Sequence, residues 1–402
     1  MSPATSAIAI SGAGCVLATG WGSAALWQAA QQAQSGISAL DSPLLHSRKI
    51  PTYGQISAAT HQRSLADLAP NLRRYSTPAV VWGVSALQQA LNEAQLEPAN
   101  SPLRFGLYCS QGGYTHPALD AYHELLRECR QAHGLDAVQL SRRVLRDNAL
   151  NPFLVLTSLS NGLPGVASLN LQLQGECNAF MQGVSGNLAA LRTACEALQA
   201  GRVDVALVLA AGSELDPLAL AKLAHGGAIS HNGNAHYQPF DANAQGAIGG
   251  DGAVALVLRR QADLPAGPHV TLDALDGHAD FARLPLPQAP DVLWCSSRAQ
   301  PNDDRALCAS LRRIAPKQIS ASQGLTGCLS GAPSLVDVLL ARRSLEAQCV
   351  PAICGLEQPV ANDLPLARQR STPAVLRRAA VLNRDSNGFS ACYHLTYHPL
   401  SA

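Results

Sequence analysis

The run Val205-Ala-Leu-Val-Leu-Ala-Ala211 holds no polar side chain, and Ala253-Val-Ala-Leu-Val-Leu258 repeats the pattern further along the chain. A strand that is apolar on both faces has to be covered on both. That is the habit of a parallel or mixed sheet packed between helices, not of a half-solvated meander. The covering helices are present. Ala24 to Gln34 has apolar residues at helical spacing and ends at Gly36, Val80 to Ala94 has the same period, and Asn187 to Ala200 is closed by Gly201 just before the first apolar run. At the start, Ala7-Ile-Ala-Ile10 followed by Ser11-Gly-Ala-Gly14 reads as a short buried strand and a glycine turn. Strands and helices alternating in this way predict an α/β fold.

With 402 residues, 47% of them hydrophobic, the chain can bury a large core, as two domains or one duplicated unit. A second α/β segment opens near Ala253, crosses a Pro-rich stretch from Pro265 to Pro290 and resumes with a helix around Leu335 to Glu346. The boundary is placed near residue 255, giving halves 1–255 and 256–402 of similar grammar, as a duplication would leave them. Asp41 to Thr60 and Gln288 to Asn302 read as loops.

Charge narrows the function. A formal net charge of +1 with scattered Lys and Arg leaves no basic stripe for a phosphate backbone, so nucleic acid is not an expected partner. Met1 to Ile10 has no basic region ahead of an apolar stretch, and no run of 18 or more apolar residues occurs, so no membrane span is expected and the cytoplasm is the expected location. The eleven cysteines include no C-x-x-C pair, so neither a metal nor a cofactor is expected, and most read as buried thiols packing as small hydrophobes.

Six segments taken in order resemble the β-ketoacyl-ACP synthase family over nearly the whole chain. They are Ile8-Ala-Ile-Ser-Gly-Ala-Gly14 through Trp27 to Gln34-Ser-Gly-Ile37, then Gly201-Arg-Val-Asp-Val205 to Gly212-Ser-Glu214, Pro239-Phe-Asp241, Gly249-Gly-Asp-Gly252, Leu325-Thr-Gly327 with Gly331-Ala332, and Val350-Pro351. The resemblance implies a thiolase-like five-layered αβαβα fold with two similar halves. It also implies a dimer whose central strands pair across a two-fold axis.

Condensing enzymes of that family use a Cys nucleophile at a helix N-terminus, two His that stabilise enolate and oxyanion, and a Lys that supports the second His. Family spacing from Gly175 forward and from Gly201 back puts the nucleophile position at Val184, and a shift of one or two would give Gly183 or Gln182. Pro301 and Asp304 point back to Ser296 at the first His. Thr326-Gly327 puts Cys328 at the second His and Gln323 at the Lys. The gate loop has become Asn383-Arg-Asp-Ser-Asn-Gly-Phe389. No single shift repairs all of these, so the resemblance implies a chain with no intact catalytic set that is not an enzyme by itself.

Other motifs carry less. The G-x-S-x-G spacing of a serine elbow fails in Gly183-Val-Ser-Gly-Asn187, because Asn187 holds its last position. Cys177 and Cys195 read as core thiols, His225 as solvated, and Arg73 and Arg74 as a solvated surface feature. Four residues are candidates for an acyl tunnel. Gln111, in the glycine loop Ser110 to Gly113, is open between a pocket-floor side chain and a solvent-facing turn, while Phe180, Met181 and Gln182 precede the absent nucleophile. Within the resembling family, a subunit of this kind is a chain-length factor. It pairs with an active ketosynthase and shapes the shared acyl tunnel, with acyl carrier protein engaged through the partner. Polyketide, aryl polyene and specialised fatty-acid systems have this layout, and aryl polyene is the product expected here. Two alternatives stay open: an acyltransferase or decarboxylase with an altered site, in which Cys328 would be the thiol, and a homodimeric scaffold that binds acyl carrier protein.

Overall fold

The computed structural model describes residues 7–41, 43–112, 119–150, 152–157, 159–181, 183–215, 217–371 and 375–400. The elements that place the site are, in chain order, β1 (Ile8–Leu17), α1 (Ser23–Gln32), α2 (Pro78–Glu93), β2 (Phe105–Gly112), α3 (Gly162–Leu171), β3 (Cys177–Met181), α4 (Gly183–Gln199), β4 (Val205–Gly212), β5 (Gly252–Arg260), β6 (His269–His278), β7 (Val292–Cys295), α5 (Pro301–Ile314), β8 (Ile319–Ser320), α6 (Pro333–Ala347), β9 (Arg378–Arg384) and β10 (Ser390–His398).

These strands form one sheet in the order β8-β7-β9-β10-β6-β1-β5-β4-β2-β3. The two sides of that order are copies. Strands β3, β2 and β4 run parallel, and β5 and then β1 continue antiparallel. On the other side β8, β7 and β9 run parallel, and β10 and then β6 continue antiparallel. Among the described strands of this sheet, the two five-stranded units are joined where Ile8 and Ala9 pair with Leu272 and Thr271. Residue 255 lies inside β5, which is paired on both sides within the first unit. We therefore take the break to lie in the 261–268 linker, because a strand held on both edges belongs wholly to one half.

Helices α4 and α6 fill the space between the units, and their apolar residues share one core with strands of both, including Val254, Leu256, Trp294 and Val381. A second core lies under α2 and α3 on the outer face of the first unit, and a third under α5 on the outer face of the second. The layers are thus α, β, α, β, α, the thiolase-like architecture. Burial of all eight residues of β4 explains its unbroken apolar run. Thr77 caps α2 by accepting the Val80 N–H, and Pro78, Pro301 and Pro333 sit in the first turns of α2, α5 and α6, where a missing N–H costs nothing.

Several local expectations are corrected. Gly12 and Gly14 belong to β1 and make no turn. A Cβ at either would come within 2.2 Å of Ala90 O or 2.1 Å of Ala86 O, so they let α2 lie directly on the strand. The Pro-rich stretch contains β6, the segment read as a loop at Gln288 to Asn302 contains β7, and Asp41 to Thr60 includes a helix at Pro43–Ser47 and the start of another at Ala58–Leu65. Nine cysteines are buried, but Cys177 is exposed on β3, a strand that among the described residues pairs only with β2, so it is not a core thiol. Cys195 is buried in α4, and His225, Arg73 and Arg74 are exposed. Among the described residues no helix is long and apolar enough to cross a membrane.

Candidate functional site

Parallel strands leave their carboxyl ends on one side, and ligand sites in such sheets form there. The segments that follow β7 and β8 and the end of β9 converge on the first turn of α4 and enclose a cavity of about 550 Å³. Val184, Ser296, Gln323 and Cys328 all line it. Residues separated by more than a hundred positions in sequence are thus brought to one wall.

Val184 is buried in the first turn of α4, where the helix dipole favours an anion that an isopropyl group cannot supply. Ser296 follows β7. Its hydroxyl accepts the Arg384 N–H at 3.0 Å, and its own N–H donates to Leu382 O at 2.9 Å. Gln323 begins a short helix, where its Oε1 accepts the Ser297 N–H at 3.4 Å and its Nε2 donates to the Ser322 hydroxyl at 3.3 Å. Cys328 starts a two-residue strand parallel to Gly249–Gly250, and its N–H donates to Ile248 O at 2.7 Å. The Cys328 thiol lies deep in the protein and is exposed through the cavity. Burial pushes its pKa up, with Arg298 opposing, so the thiolate is disfavoured. No His or Lys lines the cavity among the described residues. Among the described residues the wall therefore offers no imidazole for an oxyanion, its one thiol is disfavoured as the thiolate, and its carboxylates are Glu214 and Asp385.

The tunnel candidates lie elsewhere. Ser110 and Gln111 pair in register with Phe180 and Met181, so the expected glycine loop is strand β2 up to Gly112, and Gly113 lies outside the described residues. Gln111 is buried, which removes the solvent-facing turn as its reading. Phe180 packs against the central core, and neither it nor Gln111 or Met181 lines the cavity. Gln182 also lies outside the described residues.

Two residues that shape the site, Asn187 and Asp337, had no role in the sequence reading, and a third, Arg384, was read there only as part of the gate loop. Asn187, whose only signal was to spoil a serine elbow, donates from Nδ2 to Ser110 Oγ at 2.9 Å and Gly331 O at 2.8 Å and accepts the Ser334 N–H at 3.1 Å, so it ties α4 to β2 and α6. Asp337 is a fully buried acid on α6. It accepts from Asn383 Nδ2 at 2.6 Å, and the Ser322 hydroxyl is near enough to favour its ionised form, yet its Oδ1 has no partner at hydrogen-bond geometry. Burial raises its pKa to about 6. Arg384 stands at the cavity mouth in the altered gate loop. An aspartate amid the apolar Leu335 to Leu340 was the available signal for Asp337.

The comparisons with known proteins agree with this arrangement. Residues 5–263 match the family described as beta-ketoacyl synthase, N-terminal domain. The tetracenomycin polyketide synthase ketoacyl synthase beta subunit of Streptomyces glaucescens is 26% identical, over 97% of this chain and 98% of its own. Among solved structures, the ishigamide ketosynthase/chain length factor superposes with a TM-score of 0.76 at 17% identity, covering 98% of this chain and 99% of that one. A type II polyketide-synthase acyl-carrier protein complexed with its ketosynthase gives 0.73 at 15%, covering 98% and 100%. At such identities the structural likenesses bear on the fold alone, while the sequence match spans more than half of the chain. With a duplicated αβαβα fold and a cavity where its four aligned positions meet, the chain belongs to the β-ketoacyl synthase family.

Proposed function

We propose that the chain is a chain-length-factor-like subunit with no condensing activity of its own, which pairs with an active ketosynthase in polyketide biosynthesis and meets acyl carrier protein through that partner. The observation that supports this reading is the cavity wall, where Val184, Ser296, Gln323 and Cys328, the residues that the resemblance aligns with a condensing set, are found together. The full-length similarity to a polyketide synthase beta subunit supports the role. It also favours a polyketide over the aryl polyene expected from sequence. The surface supports a partner as well: among the described residues β3 has one unpaired edge, and Val138, Leu145 and Leu169 are 81%, 79% and 67% exposed.

Co-expression with a ketosynthase encoded beside it is expected to give a 1:1 complex in which all condensation depends on the partner's nucleophile. A homodimer that ignores an intact synthase would remove the assignment. A stoichiometric acyl adduct on Cys328, read by intact mass after incubation with an acyl thioester, would favour the altered-enzyme alternative instead. Val184→Cys is expected to put a thiol at the head of α4 without yielding any 3-ketoacyl product, because the imidazoles would still be missing. Product above the no-enzyme background would show that the rest of the site is competent.

A further inference from the structure

The amino ends of β7, β8 and β9 lie on the side of the second unit opposite the cavity, and the fold gathers cations there from separate stretches of chain. Lys317 stands two residues before β8, Arg377 and Arg378 enter β9, and Arg370 precedes Ser371, whose hydroxyl donates to Gln318 Oε1 beside Lys317. All four are exposed.

One carboxylate sits among them and is fully engaged. Asp291, just before β7, accepts Lys317 Nζ at 2.7 Å on Oδ1 and the N–H groups of Arg377 and Arg378 at 2.7 and 2.9 Å on Oδ2. It fixes the backbone of the two arginines and leaves their side chains free. The guanidinium of Arg370 donates to Cys349 Sγ at 3.1 Å and that of Arg378 to Ala289 O at 3.4 Å, bonds that cancel no charge, and Arg370, Arg377 and Arg378 have no ion pair among the described residues. Asp273, on β6 two strands away from β9, is held by the hydroxyls of Thr271 and Thr396.

Apolar side chains stand at the same edge. Val375, two residues before Arg377, is 53% exposed, and Leu400, just past the end of β10, is 65% exposed. Strand β10 is antiparallel to β9, Arg378 pairs with Thr396, and the Tyr397 N–H donates to Arg377 O at 2.8 Å, so Val375 and Leu400 lie beyond the same end of the strand pair.

We propose that this edge docks on the surface of an anionic bilayer, with Lys317, Arg370, Arg377 and Arg378 over the lipid phosphates and Val375 and Leu400 set among the head groups. The combination selects the partner. Nucleic acid would meet the cations and leave both aliphatic side chains in water, whereas a layer of anionic heads over hydrocarbon takes the two together. Such docking is peripheral and goes beyond the pairing with a ketosynthase. It also leaves that pairing room, because β3 is at the far end of the sheet order and the cavity opens at the opposite ends of the strands.

The test is co-sedimentation of the full-length chain with vesicles of phosphatidylglycerol and phosphatidylcholine in equal parts, against vesicles of phosphatidylcholine alone. Binding to the anionic vesicles is expected to be at least about tenfold tighter and to weaken when salt rises from about 0.1 M to about 0.5 M, which shortens the reach of the surface field. Arg377→Gln with Arg378→Gln keeps the backbone bonds to Asp291 and should weaken binding about thirtyfold, at about fivefold for each cation. Leu400→Ser should weaken it about fivefold at either salt concentration. Arg73→Gln with Arg74→Gln, an exposed pair on the first unit, is the control and should leave binding unchanged. No binding to the anionic vesicles, equal binding to both kinds, or an equal loss in the control pair would each overturn the proposal. Tighter binding to duplex DNA than to the vesicles, lost in the Arg377/Arg378 variant and indifferent to Leu400→Ser, would assign the edge to nucleic acid instead.

Discussion

Asn187→Ala is expected to destabilise the protein by about 3 kcal/mol, because it strands buried polar groups on three elements at once. The Asn187 side chain is fully buried and makes three hydrogen bonds, to Ser110 Oγ, Gly331 O and the Ser334 N–H. Helix α6 has no side-chain cap of its own, so Asn187 Oδ1 satisfies one of its first N–H groups from outside. The neighbouring backbone has little room to compensate: a Cβ at Gly331 would come within 2.2 Å of Ala211 C and O, which shows how closely that turn is pressed on β4. Asn187→Asp should fall between wild type and alanine, since a carboxylate keeps the bond from Ser334 but faces the Gly331 carbonyl with no donor. Chemical denaturation of the three proteins measures this, and an alanine cost under about 1 kcal/mol would mean that water or a shifted turn replaces the side chain.

The strands that were legible in the sequence are those buried on both faces. Val205 to Ala211 and Ala253 to Leu258 could be read directly because such strands tolerate no polar residue. Strand β6 was hidden for the opposite reason. From Asp273 onward its residues are only partly covered, and Thr271, Asp273 and Asp276 interrupt the pattern between flanking prolines. The glycines of β1 misled because glycine signals a turn or a close backbone approach equally well, and only the position of α2 decides between them. The grammar of the sequence suggests two halves, and β5, which contains residue 255, is paired on both edges with strands of the first unit. Nothing in the composition near residue 255 says that β5 is still owed to the first sheet.

At the site, spacing from Gly175, Gly201, Pro301, Asp304 and Thr326-Gly327 picked out Val184, Ser296, Gln323 and Cys328, which line one cavity; of the glycine anchors, Gly175 and Gly327 sit at close backbone approaches and Gly201 at a positive φ. Of the tunnel candidates, Phe180 and Met181 were chosen by nearness in sequence to the absent nucleophile and Gln111 by its resemblance to a pocket-floor loop, and β2 and β3 pair these three residues away from the lining of this cavity. Residues acting from behind the wall have no local signature at all. Asp337 acquires its meaning only from the burial of α6 and from Asn383, which is 46 residues away in sequence.

That burial gives the last expectation its sign. Asp337→Asn is expected to stabilise the protein by about 3 kcal/mol near pH 8, since the shift from 3.8 to about 6 spans two units at roughly 1.4 kcal/mol each. The cause is desolvation first, with Ser322 and Asn383 recovering only part of it. No cation pairs with Asp337 among the described residues, so above pH 6 the folded protein carries a buried anion that the unfolded chain would expose to water. A raised carboxyl pKa means the folded state holds its proton more tightly. The cost is therefore largest above about 6, shrinks as pH falls below that, and vanishes only below the unfolded value of 3.8, where both states are protonated. Asp251 and Asp304, also raised to about 6 by burial, push wild-type stability in the same direction. The amide variant removes one of the three contributions. Its advantage over wild type, followed by urea denaturation from about pH 8 to pH 4, should stay level down to about pH 6.5 and then fall towards pH 4. An advantage that does not vary with pH would instead be a packing effect, and it would mean that the carboxyl is already neutral or well solvated in the folded protein.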